Sequence, residues 1–184
     1  MRNFTLIGLI ALTALSGSGT AAAADAEIKR LSPSAFPQLP PSIRQTLERR
    51  GCRIPQLWEG WLSKRHNVIR GAFIRKNRID WAVLCSIGGR STILVFPRGA
   101  TKPAVELAPQ DDADFVQGVG DGKTGFSRGI GVAGRKHILD YYEAYGGPKP
   151  PPLDHQGIND AFAGKASVVR YFYRGEWLEL QGAD

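Results

Sequence analysis

Two groups of side chains in this chain have the types that chemistry needs. The first is Gly122-Lys123-Thr124, inside the glycine-rich run from Val116 to Phe126. A lysine and a hydroxyl residue behind a glycine are what a loop uses to hold a nucleotide's phosphates and their metal ion. The spacing argues against that use. Such a loop carries a second glycine five residues ahead of the Gly-Lys-Thr glycine, and that position is Gln117. It also follows a strand and opens a helix whose amides face the phosphates, whereas Gly125 to Gly131 is too rich in glycine for a helix. The run reads as a flexible loop that binds no nucleotide.

The second group is the histidines, His66, His137 and His155, with the acids Asp140, Glu143, Asp154 and Asp160. None of the histidines has zinc-binding or catalytic spacing. His155 beside Asp154, with His137 upstream, would make an acid/base pair if folding brought them together. A small hydrolase-like enzyme using these residues therefore stays open as the alternative reading. Asp154 to Asp160 lacks the charge and the later bidentate acid of a calcium loop. It reads as a capped turn leading into a short helix that buries Ile158 and Phe162. No cofactor and no metal site are implied.

The setting follows from the N-terminus. Residues 1 to 24 pass from Arg2 through an apolar core to Ala22-Ala23-Ala24, the order of a secretory signal peptide. The chain is then periplasmic or secreted, and residues 25 to 184 suit one domain. In an oxidising compartment the two cysteines, Cys52 and Cys85, pair as a disulfide. The formal net charge is +7, of which the leader's Arg2 supplies one. A basic exported surface meets anionic lipid, lipopolysaccharide or acidic polysaccharide.

Several elements can be read between these landmarks. Residues 25 to 41 form a proline-rich extended lead-in, and 42 to 184 form one β-rich domain. A short helix runs from Pro40 to Gly51, with Ile43 and Leu47 on one face, and the disulfide fastens it to whatever carries Cys85. That carrier is a strand buried on both sides, with Trp81, Val83 and Cys85 on one face and Ala82 and Leu84 on the other. Flanking strands at 67–74, 91–96 and 104–108 make an antiparallel meander. Pro109 to Gly134 reads as a long loop with one short strand near 129–133. Residues 136 to 142 fit either a strand or a helical stripe of Ile138, Tyr141, Tyr142 and Tyr145, and their aromatic and β-branched content favours a strand. Ala166 to Tyr173 and Glu176 to Leu180 form a hairpin about Arg174-Gly175. The fold class is mainly β (α+β), with two meanders forming a small sandwich or an open barrel-like sheet.

The stretches GAFIRKNRIDWAVLCS and DHQGINDAFAGKASVVRYFYRGEWLELQGAD resemble those of an uncharacterised family of exported bacterial proteins. They are also similar to FG-GAP or VCBS β-propeller repeats, in which Gly-x-Phe and Asp-x-Ala-Val flank an acidic calcium loop. Gly71-Ala-Phe73 and Asp80-Trp-Ala-Val83 match the flanks, while Arg75, Lys76, Asn77 and Arg78 replace the acids. The resemblance implies a β architecture and an exported setting, and three cations exclude a calcium ion there.

The remaining signal is charge. Arg49 and Arg50 close the short helix, Arg70 sits on the first strand, and Arg75, Lys76 and Arg78 occupy the turn after it. These six are the candidate anion-binding residues. They favour a non-catalytic protein that contacts an anionic envelope component or a protein partner.

Overall fold

A computed structural model of the chain describes residues 28–60, 64–103 and 105–183; the signal peptide expected at 1–24 lies outside them. In chain order the strands are β1 (Arg30–Leu31), β2 (Ile54–Pro55), β3 (Val68–Gly71), β4 (Asp80–Ile87), β5 (Arg90–Phe96), β6 (Val105–Asp111), β7 (Val116–Gly120), β8 (Lys123–Phe126), β9 (Arg128–Ala133), β10 (Gly157–Phe162), β11 (Ala166–Tyr173) and β12 (Glu176–Gln181). The helices are α1 (Pro41–Arg49) and α2 (Arg135–Tyr145). Two four-stranded antiparallel sheets dominate, β3-β4-β5-β6 and β12-β11-β10-β9, and β1-β2 and β7-β8 form two-stranded pieces.

The alternation of side chains in β4 explains how the layers stack. Trp81, Val83 and Cys85 point to one face, where they pack with Leu94, Phe96, and with Ile43 and Leu47 of α1. Ala82 and Leu84 point to the other, joining Ile93, Val95, Ile130 and Ile158 in a core shared by both large sheets. On the far side of the second sheet, Val169, Tyr171 and Leu180 are covered by Ile138 of α2. The order of layers is α1, first sheet, second sheet, α2. A strand with both faces covered has no polar alternation, which is why Asp80–Ile87 reads as a continuous apolar run.

The proline-rich lead-in is more than a tether. Phe36 and Leu39 are fully buried beside α1, and the amide of Gln56 donates to Lys29 O at 2.8 Å. Cys52 and Cys85 form the disulfide, with Cα atoms 5.4 Å apart. Beside it, Arg53 and Ser86 exchange backbone hydrogen bonds of 2.9 and 2.8 Å.

Three expectations are corrected. Residues 136 to 142 are helical, within α2. His137, Tyr141 and Tyr145 touch at four-residue spacing along it, the first pair edge to face and the second stacked, with centroid separations of 4.6 and 6.0 Å, while Ile138 is buried. An i, i+4 ladder is available only to a helix, and here it outweighs β propensity. The long loop expected from Pro109 to Gly134 holds β7, β8 and β9 instead. Asp121 and Gly122, with φ of 49° and 68°, make the two-residue turn between β7 and β8. Positive φ at both central residues is what a hairpin turn of this length requires. The helix expected after Asp154 is strand β10, whose backbone pairs with β9 on one side and β11 on the other, with Asp160 against Arg128 of β9.

Arg128 ties the two large sheets together. Its guanidinium is fully buried and meets both carboxylate oxygens of Asp160 at 3.0 Å, Ser91 O and Oγ at 3.1 Å, and Ala108 O at 2.7 Å. These contacts match the five donors of a guanidinium. Asn67 works in the same region, donating to Pro55 O and Arg128 O and accepting from the Ile130 amide.

Candidate anion-binding site

Asp80 organises the end of the first sheet where the cations collect. It is fully buried at the start of β4, and Oδ2 accepts from the amides of Phe73 and Ile74 at 3.1 and 3.0 Å. Its Oδ1 accepts from the amide of Arg98 at 3.1 Å, and Arg78 Nε lies 3.3 Å away. One carboxylate thus fixes two chain reversals, the β3–β4 turn and the β5–β6 connection. Meander topology places them together, since alternate turns of an antiparallel sheet fall at the same end.

The side chains on these turns are basic. Arg75 and Lys76 are exposed on the first, and Arg98 and Lys102 are exposed on the second. The second sheet brings Arg174, in the β11–β12 turn, to the same place: Arg75 and Arg174 line one cleft of about 340 Å³. Among the described residues, no carboxylate forms an ion pair with Arg75, Lys76, Arg98, Lys102 or Arg174. Their charge therefore faces solvent uncompensated.

The six residues singled out from the sequence divide. Arg75 and Lys76 belong to this basic end. Arg78 is turned inward to Asp80 and serves the turn itself. Arg49 and Arg50 line a separate cleft of about 720 Å³, which reaches the basic end through Lys102. There Arg50 pairs with Glu106, and Arg49 donates to Thr46 Oγ1 at 3.1 Å. Arg70 is exposed on β3, opposite Trp81 and one residue before the strand gives way to the β3–β4 turn. Arg98, Lys102 and Arg174 were missed. Each lies in a reversal marked by glycine or proline, Pro97-Arg98-Gly99, Lys102-Pro103 and Arg174-Gly175, and counting alternate turns of the meander would have selected the first two.

His155 Nε2 lies 3.8 Å from Asp154 Oδ1, and among the described residues no contact joins His137 to this pair. His155 is held in place by stacking on Tyr171, with centroids 4.3 Å apart and planes 9° apart. Its Nδ1 and Nε2 lie 3.0 and 2.9 Å from the carbonyl oxygens of Gln156 and Phe172. His137 meets Tyr141 edge to face, and its buried Nε2 makes no hydrogen bond among the described residues. Asp160 is engaged by Arg128 and Arg170, and Asp140 pairs with Lys136. Gly122-Lys123-Thr124 runs from a turn into β8, and no helix follows it. Gly125 is needed because a Cβ there would lie 2.7 Å from Trp58 Cβ and Cγ.

Compared with protein-family models, with curated proteins and with solved structures, the chain matches none. Its function has to be argued from its own residues. Among the described residues no helix is long and apolar enough to cross a membrane.

Asp80 supplies the first expected result. Asp80→Ala removes the acceptor of three turn amides and the partner of Arg78. We expect a loss of roughly 1 to 3 kcal/mol in urea unfolding, the cost of leaving buried donors unpaired. Hydrogen exchange should accelerate at Phe73, Ile74 and Arg98 together. Acceleration at only one turn would separate the two reversals and refute their common anchor.

Proposed function

We propose that this chain is an exported, non-catalytic protein of the bacterial envelope. It is built as a small sandwich of two antiparallel meanders, and it binds a phosphate-bearing lipid surface through the basic end of those sheets. The observation that supports this reading is the pooling of Arg75, Lys76, Arg98, Lys102 and Arg174 on three adjacent reversals, all exposed and none paired with an acid among the described residues. Each basic side chain held near an anionic membrane contributes about 1 kcal/mol, so five acting together give useful affinity without a deep pocket. Two of the three reversals are anchored by the buried Asp80 carboxylate and present their charge with little ordering cost on binding. The signal-peptide order of residues 1 to 24 supports the exported setting.

The experiment is flotation of the protein with phosphatidylglycerol vesicles while sodium chloride is raised. At low salt the protein should float with the vesicles. Binding should weaken progressively and be lost by about 1 M, where the Debye length falls to about 3 Å. Binding that is indifferent to salt, or equal on phosphatidylcholine vesicles, would rule out an electrostatic surface site.

A further inference from the structure

The cleft shared by the β3–β4 and β11–β12 turns has more definition than a charged surface needs. Arg75 from the first turn and Arg174 from the second both line it. Arg174 is fixed in a tight turn, with φ of 51° followed by 94° at Gly175, and its guanidinium lies 5.2 Å from the ring centroid of Tyr173. The cleft is also lined by Pro152, Tyr173 and the edge of His155. Asp154 lies at its rim with a side chain that is 69% exposed, its Oδ1 3.4 Å from the Tyr171 hydroxyl and 3.8 Å from His155 Nε2. The carbonyl oxygens of Gln156 and Phe172, 3.0 and 2.9 Å from its two ring nitrogens, hold the His155 ring in the wall of the cleft.

These features select a ligand chemistry. Two guanidinium groups with no acidic partner among the described residues complement a dianion better than a single carboxylate, and planar donors suit phosphate oxygens. A carboxylate at the rim repels bare anions but accepts hydrogen bonds from hydroxyl groups. The volume of about 340 Å³ is at the small end of ligand pockets, the scale of one sugar ring.

We propose that this cleft binds a phosphate monoester carried on a polyhydroxylated body, as in a sugar phosphate. Arg75 and Arg174 hold the phosphate and Asp154 receives the hydroxyls. The proposal deepens the anionic-surface reading and rests on it, naming the group that the basic end recognises.

Calorimetric titration with glucose 6-phosphate tests it, with inorganic phosphate, glucose and phosphatidic acid vesicles as separate arms. Glucose 6-phosphate should bind at least tenfold more tightly than either inorganic phosphate or glucose. Arg75→Gln and Arg174→Gln should each weaken it by tenfold or more, with unchanged melting temperatures because both side chains are exposed. Asp154→Asn should reduce the advantage over inorganic phosphate. Phosphatidic acid vesicles exceeding glucose 6-phosphate would assign the phosphate to a lipid headgroup and overturn the sugar body. Absence of glucose 6-phosphate binding, or binding unaffected by both arginine variants, would overturn the site. Flotation with phosphatidylglycerol vesicles on the same samples keeps the two ideas apart: binding there with no response to glucose 6-phosphate defeats the cleft alone, and the reverse pattern defeats the surface reading alone.

Discussion

Arg128→Ala should destabilise this protein by about 3 to 5 kcal/mol, the range found when one partner of a buried ion pair is removed. The side chain has no exposure, and its five donors reach Asp160 on β10, Ser91 on β5 and Ala108 on β6. Truncation leaves the Asp160 carboxylate, itself only 9% exposed, with Arg170 at 3.6 Å as its remaining partner. It also opens a cavity beneath the Phe115 ring, which the guanidinium now faces at 4.9 Å. Arg128→Lys should recover little, because an ammonium cannot reproduce the planar fork. The double variant Arg128→Met/Asp160→Leu should recover much of the loss, since it removes both charges and refills the volume. Urea unfolding of the three variants measures this. A loss below about 1 kcal/mol for Arg128→Ala would mean that the sheets are held by apolar packing alone.

The disulfide carries the second large effect. Cys52 and Cys85 are 33 residues apart, and closing a loop of that length contributes roughly 3 to 4 kcal/mol in the chain-entropy model. The linked parts also hold each other without it. Arg53 and Ser86 pair through their backbones, and Leu47 and Ile54 stay buried against β4. Cys52→Ala/Cys85→Ala should therefore fold, with a lower melting temperature and a stability deficit of about 2 to 4 kcal/mol. Under denaturing, non-reducing conditions the native protein should present no free thiol. Two titratable thiols, or a variant as stable as the parent, would contradict the role assigned to the bond.

Much of the β framework was legible because its physics is local. The two-sided apolar run of β4 and the Arg174-Gly175 hairpin declare themselves by alternation and by turn chemistry. Two features were legible but misread. Asp121-Gly122 is a strong hairpin signal obscured by the glycines around it, and the four-residue spacing of His137, Tyr141 and Tyr145 outweighs their β propensity. Other features have no local signature. Nothing near Asp160 in the chain announces that its partner is Arg128, so the segment after Asp154 looked like a capped turn and helix. The basic end was half visible. Arg75 and Lys76 lie in one turn, but Arg78 turns inward to Asp80, and Arg174 joins only because the second sheet packs with that hairpin toward the first. Such placement belongs to tertiary packing, which no stretch of sequence encodes alone.

The central claim is that position, rather than net charge, makes this surface bind. Two variants of equal charge separate the two: Lys76→Gln/Arg98→Gln/Lys102→Gln at the basic end, and Lys123→Gln/Lys136→Gln/Lys165→Gln elsewhere on exposed positions. At about 1 kcal/mol per basic side chain, the first should bind phosphatidylglycerol vesicles roughly 100-fold more weakly than the parent, and the second should lose no more than a few-fold. Equal losses in the two variants would show that affinity follows net charge, and would contradict a binding site at the basic end of the sheets.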